Sequence, residues 1–428
     1  MKPLVSPRLN EILAYLLTLL IPLQVYFPAY RGKYMTVFMI LALLLFVSRS
    51  GMVEVRKLLK DKILFYGLFW VMVLASFYYS GNKADAFKYV FVLGLGLPVF
   101  YIYQGVSARR ETIMKVFLFG SLPLALFIIL LFIYDPVKLQ LLGLPWLKVF
   151  IEPKGLQGIL DKTVVYNVLY PHKEGGFFLN ANDASIYMCF AAAAAAWLAL
   201  TEKRKVVYIG AGFIFITGLV FTGSNSGIYS FFTSLTVGAV VYFSRRLRLF
   251  KVLLILTLAV AVSFGGIKVF TALNPRYDNK QFKGLGDNLV LHNRLPIWRA
   301  SMEIIRQHPW LGVGLDKDNW DANYRAVSTK YRALPDTTAH NMYLSLWAKS
   351  GITALLFMLF FLFANIKYNL RRFYLDNELF SLAVVCCLIP LVMVGMTEAI
   401  PLMEIRIMAA FFMILGLAPD GNLPTSKE

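Results

Sequence analysis

Hydrophobic residues occur along this chain in long runs that are separated by short polar segments. Runs such as 117–134, 206–221 and 352–364 hold no charged residue, and many approach the roughly 20 residues that a helix needs to cross a bilayer. Backbone polar groups in lipid must find partners within the protein, and the alternation typical of membrane strands is absent from the sequence. Each run therefore predicts a transmembrane helix.

Twelve such runs can be separated, and they predict an all-α polytopic membrane protein of about twelve transmembrane helices. The predicted spans are 10–28, 34–50, 63–80, 88–106, 115–134, 181–200, 206–222, 226–243, 252–271, 341–364, 380–398 and 404–418.

The short loops between these spans differ in their lysine and arginine content. With the N-terminus inside, the short outer loops hold only Arg31, Lys33, Lys83 and Lys88. The inner segments hold Arg49, Arg56, Lys57, Lys60, Lys62, Arg109, Arg110, Lys115, Lys203, Arg204, Lys205, Arg245, Arg246, Arg248, Lys251, Lys367, Arg371 and Arg372. Positive residues favour the cytoplasmic side, so both termini are predicted to be cytoplasmic.

Two long segments, 135–180 and 272–340, both fall on the predicted outer side. They divide the chain into spans one to nine (1–271, with the outer loop 135–180), a large outer loop (272–340), and spans ten to twelve with a cytoplasmic tail (341–428). Loops of this length are uncommon without a function. The ten Lys/Arg residues of the second loop, against six Asp and one Glu, indicate either headgroup contact and solubility or a basic site for phosphates or acidic sugars.

The composition agrees with a membrane protein, since 58% of the residues are hydrophobic and 16% are charged, with a mean hydropathy of +0.63. A soluble domain is about a quarter charged. A net charge of +19 would suggest nucleic acid in a soluble protein, but here the basic residues follow the membrane topology, and no nucleic-acid partner is predicted. Cys189, Cys386 and Cys387 lie inside apolar runs and form neither a disulfide framework nor a metal-binding spacing.

Few charged residues are interpreted as membrane-embedded, among them Lys268, Lys349, Glu398, Glu404 and Arg406. All but Lys349 lie near the outer ends of their spans, where snorkelling can account for most of them. The sequence also lacks the inverted repeats and matching Gly/Pro-broken helices that mark secondary transporters. These features disfavour a charged pathway through the bilayer.

The residues after Pro296 predict an amphipathic helix that ends at His308-Pro309, because apolar residues recur there at helical spacing. This helix is expected to lie along the membrane surface, with Trp298 and Met302 facing lipid or the bundle. Arg294 would stand just before the helix, with its guanidinium free of the packed face. A planar cation with paired donors suits a diphosphate, although a solvated surface arginine would look the same in sequence.

His340 directly precedes the tenth predicted span. The helix N-terminus there would disfavour an extra proton on the imidazole, so a neutral His340 could accept a proton from an attacking hydroxyl. A simple helix cap is the alternative. The four histidines all lie in the two long outer loops, but none has an i,i+4 partner or an HExxH motif, so no metal site is predicted.

Three shorter patterns also fall on the outer side. Asp316 lies in an Asp-Lys-Asp sequence that resembles the acidic motif of sugar-nucleotide transferases, but the α/β context of those enzymes is missing. The glycine and asparagine residues of GGFFLNAN at 175–182 and TGSNSG at 222–227 are explained most simply as turn-forming residues. Both turns would nevertheless meet the outer membrane surface at the level of His340.

In their order along the chain, these elements resemble the O-antigen ligase/polymerase family of bacterial envelope glycan enzymes. The resemblance rests on the twelve spans, GGFFLNAND, TGSNSG, the R-x3-W spacing of Arg294 and Trp298, HPWLGVG at 308–314 and AHNMYLSLWAKSG at 339–351. The ordered set is more specific than any one motif.

The resemblance implies a GT-C-like, metal-independent and cofactor-free glycosyltransferase of the bacterial inner membrane, surrounded by membrane lipids, with its site on the outer face. It implies an undecaprenyl-diphosphate-linked glycan donor, a lipid or glycan acceptor, and inversion at the anomeric carbon. Carried over to this chain, Arg294 grips the diphosphate and His340 orients or activates the acceptor. Further candidates are Arg299, Asn225, Ser224 and Lys173 for the diphosphate, and Asn180, Asn182, Asn341 and Asp316 for the substrate.

One position departs from the family pattern. Relatives usually carry a basic residue in a T-x-S-R-G-like turn, where this chain has Asn225. Asparagine can donate a hydrogen bond but brings no charge, so Lys173 or Arg299 is expected to compensate. The sequence fits a ligase and a polymerase equally well. Two alternatives from other functional classes are a transporter of envelope precursors and a non-enzymatic assembly scaffold.

Overall fold

The computed structural model describes residues 7–28, 34–49, 63–161, 173–244, 289–334 and 337–418. Within these residues the fold is helical, apart from the antiparallel pair β1 (Tyr26–Pro28) and β2 (Tyr34–Thr36). The helices are α1 Pro7–Leu20, α2 Val37–Arg49, α3 Leu64–Tyr79, α4 Lys83–Gly94, α5 Gly96–Gln104, α6 Arg110–Ile133, α7 Lys138–Leu142, α8 Pro153–Leu160, α9 Ala181–Thr201, α10 Lys205–Phe221, α11 Asn225–Ser244, α12 Leu289–Gln307, α13 Lys317–Ser328, α14 Met342–Asp376, α15 Leu379–Gly395 and α16 Ile405–Leu417.

Eleven of the twelve predicted spans overlap one or more of these helices, and the ninth, 252–271, lies outside the described residues. Five helical stretches in the described part of the chain are long and apolar enough to cross a membrane: Lys83–Gln104, Ser107–Ile133, Ala181–Thr201, Asn225–Ser244 and Met342–Asp376. The helical, membrane-embedded fold is therefore confirmed. The count of twelve crossings and the likeness to GT-C enzymes stay predictions.

Buried apolar side chains form two clusters. The larger one fills the helix bundle and has α16 at its centre, where every residue is buried. The smaller one joins α12, α13 and the start of α14 through residues such as Ile304, Trp320 and Ala348. We call α12, α13 and the short helix Thr329–Tyr331 the loop unit. The described part of the long second loop is thus a packed helical structure rather than an extended linker.

Helix α12 differs from its prediction at one end. It ends at Gln307, as predicted, but begins at Leu289, so Arg294 and Pro296 lie inside the helix and not at its start. A proline removes one helical hydrogen bond without forbidding the helix on both sides, so taking it as the helix start was wrong. The apolar face of α12, with Ile297 and Ile304, packs on α13 and α14, and Met302 packs against the same cluster.

Helix α14 is interrupted at Gly351, where φ is +81°. The backbone groups around this break bond to the segment 309–314, which we call the inserted segment. Val313 donates its N–H to Ala348 O at 2.8 Å, and Ile352 donates its N–H to Pro309 O at 3.0 Å. The backbone groups of α14 that lose their helical partners at the break bond instead to the inserted segment. The break therefore attaches the loop unit to the helix bundle through this segment.

Buried Lys349 reinforces this junction. Its Nζ donates to Leu315 O at 3.0 Å and lies 4.6 Å from the centre of the Tyr89 ring. An ammonium inside a membrane protein needs such partners, and here they come from α4 and from Leu315, the residue after the inserted segment.

Replacing Gly351 with alanine is expected to lower the thermal stability of the protein strongly. A Cβ there would overlap the carbonyl oxygen of Trp310, and the positive φ adds strain of about 1–3 kcal/mol. The measurement is the melting temperature of the purified protein in detergent. Gly67→Ala is the matched control, because its Cβ would meet nothing within 4 Å. Equal melting temperatures for the two variants would contradict the described break.

Candidate functional site

A buried carboxylate joins segments that are far apart in the sequence. Glu398, 9% exposed, lies between α15 and α16. It accepts hydrogen bonds from Nδ2 of Asn180, at 3.2 Å, and from Nδ2 of Asn182. The Oδ1 atom of Asn182 in turn accepts a bond from Ser224 Oγ at 2.6 Å. The predicted 175–182 and 222–227 turns thus meet at one acidic side chain.

The turn at 222–227 is built so that its polar groups bond within the protein. Ser224 caps α11, because its Oγ accepts the N–H of Gly227 at 3.1 Å. Gly227 lies so close to α9 that a Cβ would overlap Ser185. Asn225, the position that departs from the family pattern, is half-buried as the first residue of α11. The turn therefore holds Ser224 and Asn225 at a fixed place beside the start of α9.

His340 stands at the N-terminal end of α14 in a strained backbone conformation, with φ of +44°. The cap of α14 is Asn341, whose Oδ1 accepts the N–H groups of Tyr343 and Leu344 at 3.0 Å each. His340 is therefore not the helix cap. Its Nε2 lies 3.0 Å from Thr337 Oγ1, and its buried Nδ1 makes no hydrogen bond with the described residues. One ring nitrogen of His340 thus has no hydrogen-bond partner among the described residues.

The Glu398 carboxylate acts electrostatically on both Arg294 and His340. Burial lowers the pKa of His340, the Glu398 carboxylate raises it, and the Arg294 guanidinium lowers it again. Burial also lowers the pKa of Arg294, which the same carboxylate opposes. Arginine keeps its charge in proteins, so this cluster combines a half-buried cation, a carboxylate and an imidazole held toward its neutral form.

A hydrogen bond from the residue after His340 reaches the same region. The Nδ2 atom of Asn341 donates to Met396 O at 3.3 Å, which joins the start of α14 to the segment that carries Glu398. Of the predicted site residues, Asn180 and Asn182 bond to Glu398, and Ser224 bonds to Asn182. These three and Asn341 are considered together with Arg294, His340 and Glu398. We call these seven residues the polar cluster.

Three other predicted site residues have different surroundings. Asp316 is buried, and its Oδ2 accepts the N–H groups of Gly81 at 3.2 Å and Asn82 at 3.5 Å. These bonds hold the loop unit to the start of α4, and substrate binding by Asp316 stays a prediction that its contacts do not support.

Arg299 is exposed on α12. Its part in holding a diphosphate also stays a prediction.

Lys173, the third of these residues, precedes the buried Glu174. Glu174 Oε1 lies 3.1 Å from Lys138 Nζ, and its N–H donates to Thr222 O at 3.1 Å. Burial raises the pKa of Glu174 to about 8, against the opposing effect of Lys138. These contacts place Lys173 next to the turn at 222–227. His172 lies outside the described residues.

The sequence position of Arg406 suggested a snorkelling side chain, but the structure shows that Arg406 is buried, with 1% of its surface exposed. Its Nε donates to Pro22 O at 3.1 Å, and its Nη2 to Phe150 O. Its Nη1 pairs with Glu404 Oε1 at 3.1 Å. Arg406 therefore holds α1, the 135–160 region and α16 together. Snorkelling was also wrong for the buried Glu398, while Lys268 lies outside the described residues.

Glu398 is the functional candidate that sequence reasoning missed. An acidic residue inside an apolar run is a functional candidate by default, and that signal was present. Among the described residues, no group of three or more His, Cys, Asp or Glu side chains could hold a metal ion. Whether the protein works without a metal stays a prediction.

The fold and the polar cluster together define a membrane-embedded helical protein with a charged site at one end of its bundle. The family model described as O-antigen ligase matches residues 210–359, a range that includes the turn at 222–227, Arg294, the inserted segment and His340. This match confirms the predicted resemblance to the O-antigen ligase/polymerase family over residues 210–359. No curated protein matches the chain.

Proposed function

We propose that this protein is a membrane glycosyltransferase that moves a glycan from an undecaprenyl-diphosphate carrier to an acceptor hydroxyl on the outer face of the bacterial cytoplasmic membrane. The proposal is carried by the hydrogen bond from Asn341, next to His340, to the segment that carries Glu398, together with the electrostatic effect of Glu398 on Arg294 and His340. Arg294 and His340 are the residues that the family resemblance assigns to the diphosphate and the acceptor.

Arg294 would bind the diphosphate of the donor. Its guanidinium is half-buried, and an ion pair with phosphate oxygens gains strength where water is partly excluded. Negative charge grows on the diphosphate as the glycosidic bond to the carrier breaks, so a fixed cation stabilises the transition state more than the ground state.

His340 would act as the general base. Burial disfavours its protonated form, so the free ring nitrogen can take the proton of the acceptor hydroxyl. The acceptor oxygen attacks the anomeric carbon, the bond to the diphosphate breaks, and undecaprenyl diphosphate leaves with the electron pair. A single displacement of this kind inverts the anomeric carbon. The imidazolium that forms is stabilised by the Glu398 carboxylate.

The N-terminus of α11 supplies a second positive element near the diphosphate. Asn225 occupies the position of the usual basic residue and is the first residue of this helix. The partial positive charge of a helix N-terminus attracts phosphate. It would offset part of the charge that Asn225 lacks, with Lys173 as a further cation beside the same turn.

The alternative within the same chemistry is a polymerase that joins lipid-linked repeat units. A ligase and a polymerase would share the donor site and differ in the acceptor. In a strain lacking the gene, loss of long chains with single repeats retained indicates a polymerase, whereas intact polymer left on its carrier indicates a ligase.

The direct test uses the purified protein in liposomes with an undecaprenyl-diphosphate-linked glycan and either an acceptor lipid or a second donor molecule. Mass spectrometry should find a new glycosidic bond and free undecaprenyl diphosphate. Movement of the donor across the bilayer without chemical change would instead support a transporter and contradict the proposal.

A further inference from the structure

The inserted segment exposes two apolar side chains next to each other. Trp310 is 71% exposed and Leu311 is 45% exposed. Their backbone is nevertheless firmly held, because Pro309 O accepts bonds from Ile352 N–H and Trp347 Nε1, each at 3.0 Å. Exposed apolar surface on a fixed backbone is unfavourable in water, so such a pair indicates a contact partner.

The level of the pair along α14 follows from helix geometry. Gly351, which contacts Trp310, lies about 14 Å below the start of the helix at Met342, at 1.5 Å per residue. Above this level, Ala348 and Trp347 pack on the loop unit. Below it, residues 350–366 hold no charged side chain, whereas Lys349 and Lys367 flank this stretch. The break therefore lies where the uncharged part of α14 begins.

The neighbouring helix surface is also apolar and exposed. On α3, Val71, Leu74 and Tyr78 are exposed at helical spacing, and Tyr78 at the end of the row is 80% exposed. Leu315, just after the inserted segment, donates its N–H to Ser80 Oγ at 2.8 Å. The inserted segment thus lies between α14 and the end of α3. An exposed apolar pair and an exposed apolar row on α3 are therefore carried by neighbouring segments.

We propose that Trp310 and Leu311 insert into the bilayer at the boundary between headgroups and acyl chains, and that they anchor the loop unit to the membrane surface. The partner is phospholipid. An indole ring with its N–H is favoured at this boundary, where one edge is apolar and the other meets water. The anchor fixes the height of α12 above the bilayer. This inference does not depend on the chemistry that the polar cluster performs.

The first experiment measures the depth of residue 311 directly. In a variant whose three cysteines are replaced by serine, Leu311→Cys carries a nitroxide label, and the protein is placed in phosphatidylcholine/phosphatidylglycerol nanodiscs. Electron paramagnetic resonance should show more relaxation by oxygen than by a water-soluble nickel complex. Ala326→Cys, exposed on α13, is the matched control and should show the reverse. Equal access of the nickel complex to both labels overturns the proposal.

A second experiment keeps the native cysteines. Fluorescence of the protein is measured in nanodiscs whose lipids carry bromine near the headgroups. The quenched part of the tryptophan emission should decrease in Trp310→Phe, because one lipid-exposed indole has been removed. A quenched fraction identical to that of the parent protein would show that Trp310 contacts water or another protein, and would also overturn the proposal.

Discussion

Replacing Arg294 with alanine is expected to reduce glycan transfer by at least about 100-fold, the effect typical of removing one donor that stabilises a developing negative charge. The half-buried guanidinium lies with Glu398 and His340 in the polar cluster. Arg294→Lys should recover only part of the activity, because an ammonium cannot form the paired bonds that a guanidinium makes with phosphate. The measurement is the rate of product formation in liposomes.

Two arginines on the same helix provide the controls. Arg306 is exposed and pairs with Glu303 at 3.6 Å, and Arg299 is exposed. Arg306→Ala is expected to keep the rate within about twofold, since an exposed ion pair contributes little. Arg299→Ala tests whether that residue replaces the missing charge at Asn225. Full transfer by an Arg294→Ala protein that accumulates normally would remove Arg294 from the site.

Much of the fold follows from local sequence patterns. A run of about 20 apolar residues specifies a membrane helix almost regardless of its neighbours, which is why eleven predicted spans overlap helices. The break at Gly351 could not be predicted in the same way. It depends on the inserted segment, which lies about 40 residues earlier and supplies the bonds that a broken helix needs. Pro296 failed as a boundary for the opposite reason, because tertiary packing of α12 outweighs one lost hydrogen bond.

The candidate site likewise contains residues that local sequence indicates and a residue whose role depends on tertiary contacts. His340 and Arg294 could be proposed as site residues from the sequence because their types and their order along the chain match the family motif. Glu398 was missed because its importance comes from Asn180 and Asn182, more than 200 residues away in the sequence. No spacing rule links these positions. An acidic residue in an apolar run is better treated as a candidate partner of other motifs than as a snorkelling side chain.

Replacing Glu398 with glutamine is expected to slow transfer and to change its pH dependence. The active form of a general base is neutral, so the rate should fall on the acid side as His340 gains a proton. Burial places the pKa of His340 below its ordinary value of 6.5, and Glu398 raises it. Without the carboxylate the pKa decreases further, so the acid limb of kcat/KM should move to lower pH. The plateau rate should decrease at least about tenfold, because the imidazolium formed in the reaction loses its counter-charge.

The opposite signs of these two effects separate an electrostatic role from a structural one. A variant that merely disturbs the site loses rate at every pH with its acid limb unchanged, whereas loss of the Glu398 charge lowers the plateau and extends it toward acid. Glu303→Gln is the control, because this carboxylate lies on α12 and accepts its bond from Tyr331 at 2.9 Å. It should leave both the plateau and the limb as in the parent protein. An acid limb that stays in place or moves to higher pH in Glu398→Gln would contradict His340 as the base that this carboxylate supports.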